Sequence, residues 1–262
     1  MNNRSVLLIF MLAGSHYVGL CQKGQKGTAQ GYFTLKLAKG DSLANIYSRA
    51  IAYSGDDFSP VVYRVSGSSV YKVVDNNPSK PVFNERDLYD GQPESKAVSI
   101  IGLDGSGNYD GKAFVNSSAS GLLYSELIWG PVHPVIHEGD SWKVTISQPW
   151  ELGGPGTQVV KVITLDERHQ TVTLQREGDS EGFFDSDQKK IPITTKDGKK
   201  VIMDVTPGTA HWTGYTTFRN GVVQSDELLV TRTVTLSGEG LEFKAKEREY
   251  ILLNSMPAAG GN

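Results

Sequence analysis

Turn signals in the second half of the chain constrain its fold more than any other feature of the sequence. Asp197-Gly198 and Asn220-Gly221 each lie between two stretches rich in β-branched and aromatic residues. Both dipeptides favour type I′ hairpin turns, because their residues tolerate the positive φ angles that these turns require. The pattern predicts two antiparallel hairpins, whose strands are 191–196 with 199–205, and 215–219 with the stretch from Val222 onward.

Further alternating stretches surround these hairpins and predict more strands. They lie at Trp142–Ile146, Val159–Leu165, Thr171–Gln175, Leu228–Leu236 and Leu241–Leu253, with a turn at 237–240. Together they predict a regular antiparallel meander of about eight strands over 141–253. A flat sheet of that size would expose both edges, so we expect it to curl into a half-barrel or barrel.

The part of the chain before about residue 130 has a less regular pattern. Apolar side chains recur at helical spacing over 41–53, and Asp41 or Ser42 is suited to cap that segment. We therefore predict a mainly β protein in which one N-terminal helix packs on the curved meander. Short strands are expected at 61–65, 70–74 and 97–103, whereas 121–129 fits a short helix or a strand equally well.

The N-terminus has the parts of a secretory signal peptide. Arg4 is the only charge in residues 1–21, a short apolar run follows it, and the segment ends at Cys21. Cleavage after Cys21 predicts an exported protein of the periplasm or the extracellular space, and retention of Cys21 as a lipid anchor is the alternative. We expect a flexible leader at 22–31, a single β-rich domain at 32–255 and a tail at 256–262.

Charge and cysteine content exclude several function classes. The 26 Lys and Arg residues are outnumbered by 29 Asp and Glu residues, and no basic stripe is present, so nucleic acid is not an expected partner. The apolar run is too short for a transmembrane span. Removal of Cys21, the single cysteine, would leave no disulfide, no thiol nucleophile and no thiolate metal site. The oligomeric state is left open.

Two segments resemble metal sites only loosely. His133 and His137 lie near Glu138 and Asp140, but Pro131, Pro134 and Gly139 prevent the helix that would bring two imidazoles onto one face. The five carboxylates of 177–187 would hold a hard cation only if the loop folded back on itself. Solvated loops explain both segments more simply, so we expect neither a metal nor a cofactor.

Aromatic residues beside glycine-rich turns are the best candidates for a binding site. Trp150 precedes the loop 151–156, and Trp212 lies close to Tyr215 in the same predicted strand. Such residues can carry an aromatic surface over the mouth of a pocket, although buried indoles closing the core are the alternative. The predicted ligand-binding residues are Trp150, Glu151, His211, Trp212 and Tyr215.

This set favours a non-enzymatic binding protein for an apolar or carbohydrate ligand, so a lipid or a glycan is the expected partner. One alternative is an envelope glycan hydrolase in which Glu151, Asp226 or Glu227 act as acid and base. Apart from these carboxylates, the sequence indicates no catalytic residue. A second alternative is an interaction or scaffolding module that pairs through an open sheet edge.

Three segments carry a resemblance to a family of exported bacterial proteins of unknown function. They are W-E-L-G-G-P-G at 150–156, H-W-T-G-Y-T-T-F at 211–218 and S-D-E-L-L-V at 225–230. The resemblance extends over most of the chain after residue 21 and implies export to a bacterial envelope, without an activity or catalytic residues. More distantly, a helix packed on a curved meander resembles the half-barrel of envelope lipoprotein carriers, in architecture alone.

Overall fold

The protein is built from one large antiparallel β-sheet. The computed structural model describes residues 30–115, 118–147, 150–182 and 190–257. Strands account for 66% and helices for 3% of the structure, which confirms the mainly β class. The strands are β1 Ser42–Ser54, β2 Val61–Asp75, β3 Val82–Tyr89, β4 Ser95–Ile101, β5 Ser106–Tyr109, β6 Lys112–Val115, β7 Ser141–Ile146, β8 Gly156–Asp166, β9 Thr171–Ser180, β10 Lys190–Thr194, β11 Lys200–Arg219, β12 Val222–Gly238 and β13 Leu241–Pro257.

The strand order joins two meanders through the first and the last strand. Strands β1 to β6 follow one another on one side, β13 pairs with β1, and the order continues through β12, β11, β9 and β8 to β7. Strand β10 pairs with β11 outside this path. The predicted antiparallel meander is therefore present, but the sheet is not closed into a barrel, since β6 and β7 lie at opposite ends of the order.

The predicted N-terminal helix at 41–53 is wrong. Residues 42–54 form β1, which pairs along its length with both β2 and β13. The only helices among the described residues are the four-residue segments α1 Gln30–Phe33 and α2 Glu126–Trp129. In β1 the side chains of Leu43, Asn45, Tyr47 and Arg49 follow the period of two that a strand requires, and the two polar members conceal this alternation.

The first half of the chain is also more regular than its sequence indicates. The predicted strands 61–65 and 70–74 are parts of the single strand β2, which continues through Gly67. The strand expected at 97–103 is β4, and the ambiguous segment 121–129 ends in α2. The meander thus begins at β1 and is not confined to 141–253.

Both predicted hairpins form. The turn at Asn220-Gly221 joins β11 to β12 with φ angles of 53° and 79°, as a type I′ turn requires. At Asp197-Gly198, between β10 and β11, only the glycine has a positive φ, so this hairpin forms with a different turn. Glu239-Gly240, within the predicted turn at 237–240, repeats the paired positive φ angles between β12 and β13.

The sheet has one buried face, which we call the inner face, and one solvated outer face. Strand β11 alternates along its length, with Trp212 and Phe218 buried on the inner face and His211 and Tyr215 exposed on the outer face. The helices and the segments 118–130 and 150–154 supply further buried residues, including Tyr124 and Leu152. The inner face therefore carries the core and any enclosed site.

Several predictions about the ends of the chain concern residues outside the described ranges. The signal peptide at 1–21 and most of the leader at 22–31 lie outside them, whereas Gln30 and Gly31 begin α1. The predicted tail starts within β13, which ends at Pro257. Among the described residues, no helix reaches the length and hydropathy needed to cross a bilayer.

Candidate functional site

The two tryptophans of the predicted binding site are core residues. Trp150 and Trp212 are both fully buried, and their rings meet edge to face with centroids 4.8 Å apart. The Trp212 indole nitrogen donates a hydrogen bond to the side-chain oxygen of Gln158 at 3.2 Å. Neither indole is exposed for a ligand, so the alternative interpretation of these residues, closure of the core, agrees with their position.

The other three predicted site residues lie in two different places. His211 and Tyr215 project from the outer face, where Tyr215 is 48% exposed and His211 contacts Asp179 at 3.0 Å. Glu151 is half-buried and forms an ion pair with Arg49 at 2.6 Å. The structure therefore leaves Trp150, Glu151 and Trp212 on the inner side of the sheet and puts His211 and Tyr215 on the opposite face.

Asp226 and Glu227, two of the three carboxylates considered for glycan hydrolysis, lie on opposite faces of the sheet. Asp226 is buried on the inner face, where Arg176 donates to both of its carboxylate oxygens at 2.7 and 3.0 Å. Glu227 projects from the outer face and accepts a hydrogen bond from the Tyr250 hydroxyl. Consecutive residues of one strand cannot face the same cleft, so Asp226 and Glu227 do not form an acid and base pair.

The loosely predicted metal segments have no organised cluster. Within the described ranges, no three His, Cys, Asp or Glu side chains are grouped closely enough to hold an ion. His133 packs against the Trp142 ring, and His137 contacts Asp140 at the exposed start of β7. Asp185 and Asp187 of the acidic stretch lie outside the described residues.

A different site is present on the inner face of the first meander, and we call it the tyrosine cavity. It encloses about 370 Å³, which lies at the lower end of the roughly 300–1,000 Å³ typical of small-ligand pockets. Strands β1 to β6 form its floor, and the segments 118–122 and 150–154 contribute its wall. The lining residues that matter below are Asn45, Tyr47, Ser69, Tyr71, Glu85, Tyr89, Ser99, Tyr109, Phe114 and Glu151.

Strand register places these side chains together. Tyr47, Gly67 and Tyr89 occupy one row across β1, β2 and β3, and Leu43, Tyr71 and Glu85 occupy another. A side chain at Gly67 would collide with the Tyr89 ring, since its Cβ would lie 2.4 Å from a ring carbon. Glycine at this position lets the Tyr89 ring lie over the strand, where it meets Tyr47 edge to face at 6.4 Å.

The wall of the cavity is held by buried ion pairs. Glu151 accepts a hydrogen bond from the backbone of Ala119 at 2.8 Å, and Arg176 donates to the carbonyl of the same residue at 2.7 Å. The Ser120 hydroxyl donates to Asp226, the partner of Arg176. Asp226 therefore fixes the segment that closes the cavity, which is a positioning role.

Burial in the cavity acts on the Glu85 carboxylate. Burial raises its pKa, the neighbouring Ser99 hydroxyl lowers it, and the charge of Asp87 raises it again. Among the described residues, no ion pair joins Glu85 to a cation. Burial, followed by the Glu85 charge, also raises the pKa of Tyr71. The cavity thus contains a carboxylate that lacks a compensating cation.

Two further polar side chains of the lining, Ser69 and Asn45, differ in their hydrogen bonding. Ser69 donates to Asp87 at 2.5 Å, and Tyr109 donates to the same carboxylate at 3.4 Å, so Asp87 has partners. Asn45 is only 4% exposed, and its side-chain oxygen Oδ1 has no hydrogen-bond partner. A buried acceptor without a donor costs free energy, and a donor on a ligand would satisfy it.

Comparison with known proteins does not name this site, since no family model and no curated protein sequence matches the chain. The sequence analysis included Glu151 of the cavity but none of its tyrosines. The signal that was available is a run of alternating tyrosines, serines and carboxylates in 69–89, where Tyr71, Glu85 and Tyr89 share one face. Their meeting depends on the pairing of β1 with β2 and β3, which turn residues alone do not fix.

Proposed function

We propose that this chain is a non-enzymatic binding protein and that the tyrosine cavity is its ligand-binding site. The observation that carries the proposal is a cavity in which tyrosine rings from four strands surround a buried, unpartnered acceptor, Asn45 Oδ1. Aromatic surfaces with a few convergent polar groups are the usual composition of small-molecule sites. The size of the cavity suits a small ligand such as a monosaccharide or a disaccharide.

Between an apolar and a carbohydrate ligand, the lining favours a carbohydrate. The lining combines serine, asparagine and glutamate side chains with the rings and hydroxyl groups of tyrosines. An apolar ligand, such as an acyl chain, would offer these polar groups no hydrogen bonds. Sugar rings present hydroxyl groups to such donors and acceptors, and their C–H faces pack on aromatic rings. A lipid ligand is therefore the weaker alternative for this site.

Location is part of the same proposal. The signal-peptide pattern at 1–21 supports export to the periplasm or the extracellular space, with lipid attachment at Cys21 as the alternative. A bacterial envelope contains abundant glycans, so the proposed ligand class is available there. N-terminal sequencing of the protein from its native source distinguishes a chain that begins at Gln22 from one that keeps Cys21.

A pair of tyrosine variants tests the location of the site. Tyr89→Ala removes a ring from the cavity, and Tyr215→Ala removes an exposed ring from the outer face as a matched control. We expect binding to a glycan array to be lost or weakened at least about tenfold by Tyr89→Ala and to be unchanged by Tyr215→Ala. Loss of binding with Tyr215→Ala alone would place the site on the outer face and overturn the proposal.

A further inference from the structure

We propose that the ligand of the tyrosine cavity carries a protonated amine, as amino sugars do. This inference rests on the proposed function and adds the ligand's charge to it. It follows from three features of the cavity: a surplus of carboxylate over cation, a lining of electron-rich rings, and a buried acceptor that lacks a donor. Each feature is explained better by a cationic ligand than by a neutral one.

The charge surplus is visible in the lining. Glu85 and Glu151 both line the cavity, and Asp87 lies behind Glu85 on the same face of β3. The described lining residues include no Lys, Arg or His. Arg49, on the neighbouring part of β1, is held between Glu151 at 2.6 Å and Glu249 at 2.5 Å. The nearest cation is thus already neutralised, whereas Glu85 is not.

The aromatic rings suit a positive charge. Tyr47, Tyr71, Tyr89 and Tyr109 line the cavity from β1, β2, β3 and β5, and Phe114 lines it from β6. A cation over the face of such a ring is attracted by the ring quadrupole, by roughly 0.5–2 kcal/mol depending on burial. Aromatic side chains of this kind form the cages by which proteins recognise ammonium groups. A neutral sugar would gain only packing from these rings.

The hydrogen-bonding groups point to a ligand that donates. Asn45 Oδ1 is a buried acceptor without a donor, and the Glu85 carboxylate is an acceptor without a cation. A protonated amine carries three N–H donors and no acceptor, so it suits an acceptor of either kind. Hydrogen bonds between charged groups are also the stronger kind. The cavity therefore supplies acceptors, and a protonated amine supplies the donors that these acceptors need.

The same geometry predicts how binding depends on pH. The groups facing Glu85 are Tyr71 on β2, Asp87 on β3 and the Ser99 hydroxyl on β4, and none of them is a cation. Since an amine binds the ionised carboxylate, affinity should fall as pH drops through the raised pKa of Glu85. Above that pKa, affinity should stay constant until the amine itself loses its proton.

Calorimetric titration with paired sugars tests the inference. The probes are the disaccharide of glucosamine and its N-acetylated counterpart, which differ in the charge on nitrogen. Each is titrated at several pH values up to about pH 7, and the two are compared where the affinity for the amine form no longer rises with pH. We expect the amine form to bind at least about tenfold tighter. Glu85→Gln should reduce this preference to less than about threefold, whereas Glu227→Gln on the outer face should not change it.

The outcomes separate the two proposals. If both disaccharides bind equally and Tyr89→Ala abolishes binding of both, the site is correct and the amine inference is wrong. If neither disaccharide nor any array glycan binds, the proposed function fails and the inference fails with it. A preference for the amine that survives Glu85→Gln also contradicts the inference, because the discriminating charge then lies elsewhere.

Discussion

At the residue scale, polar side chains occupy inward-facing strand positions, where apolar core residues are expected. Asn45 and Glu85 both face inward from strands whose neighbouring inward residues, Leu43 and Phe83, are buried and apolar. Burial of an acceptor or a carboxylate without a full set of partners lowers the stability of the folded state. Proteins tolerate such groups mainly where function requires them, which is why we place the site around these two residues.

The stability of a Glu85→Gln variant tests this cost. Because burial raises the pKa of Glu85, the folded protein holds the proton more tightly than the unfolded chain does. The stabilising effect of that proton is fully present below the unfolded pKa and is lost as pH rises through the folded pKa. We therefore expect Glu85→Gln to be more stable than the wild type at neutral pH, with the advantage vanishing in acid.

Urea unfolding over a pH series measures this difference. Glu242→Gln, at an exposed position of β13, serves as the control and should follow the wild type throughout. A Glu85→Gln variant that is less stable than the wild type at neutral pH would show that the ionised carboxylate is compensated in the native protein. The argument for an uncompensated charge would then be wrong.

The buried pair of Arg176 and Asp226 carries a second residue-scale prediction. Asp226→Ala leaves a fully buried guanidinium without its carboxylate, which should cost roughly 3–5 kcal/mol of unfolding free energy. The double variant Arg176→Met with Asp226→Leu removes both charges and should cost less than the single change. Chemical denaturation compares the two. Equal stability of the single variant and the wild type would contradict a structural role for the pair.

At the element scale, β1 shows why the sequence misleads. Its inward residues include Asn45 and Arg49, so the apolar pattern of 43–51 lacks the strand period and fits a helical stripe instead. Arg49 is accommodated by Glu249 of β13 and by Glu151, partners that are 100 or more positions away in the chain. The helix prediction for 41–53 was thus wrong because buried polar groups replace apolar ones in β1, which is also where the candidate site lies.

The turns were predicted well because their chemistry is local. Asn220-Gly221 has the φ angles that its dipeptide favours, and both predicted hairpins formed. Glycine substitutions at the two turns should nevertheless differ. A Cβ at Gly221 would lie 2.2 Å from the carbonyl of Thr34, whereas a Cβ at Gly198 would meet nothing within 4 Å.

We therefore expect Gly198→Ala to cost roughly 1–2 kcal/mol, from the positive φ alone. Gly221→Ala should cost clearly more, because the segment around Thr34 must also move away from the turn. Thermal or chemical unfolding of the two variants provides the measurement, and each turn serves as the control for the other. Equal losses would mean that this segment does not pack on the β11–β12 turn in solution.

At the scale of the whole molecule, the fold depends on one pairing that no local signal reveals. Strand β1 pairs with β13 over twelve residue positions and so joins the first meander to the second. Turn chemistry predicted the second meander from β7 to β13, but it could not place β1 beside the last strand. The tyrosine cavity could not be predicted from local signals for the same reason, since its lining comes from β1 to β6 and from segments after residue 117.

The two faces of this continuous sheet also explain the misplaced binding site. Trp212 and Tyr215 are three positions apart in β11, which puts them on opposite faces, although the sequence analysis grouped them. Grouping by closeness in sequence is sound for a helix and fails for a strand. Aromatic residues on the inner face then belong either to the core, as Trp150 does, or to the cavity, as Tyr71 does.

The most direct test of the proposed site is an NMR titration of the protein with glucosamine disaccharide, monitored through the tyrosine ring signals. If the tyrosine cavity binds the sugar, the ring signals of Tyr47, Tyr71 and Tyr89 should shift in a saturable manner. The ring signal of Tyr215, on the outer face, should not change. Shifts confined to Tyr215 and its neighbours would contradict the claim that the tyrosine cavity is the binding site, as would the absence of a saturable shift at any tyrosine with this disaccharide and with every array glycan.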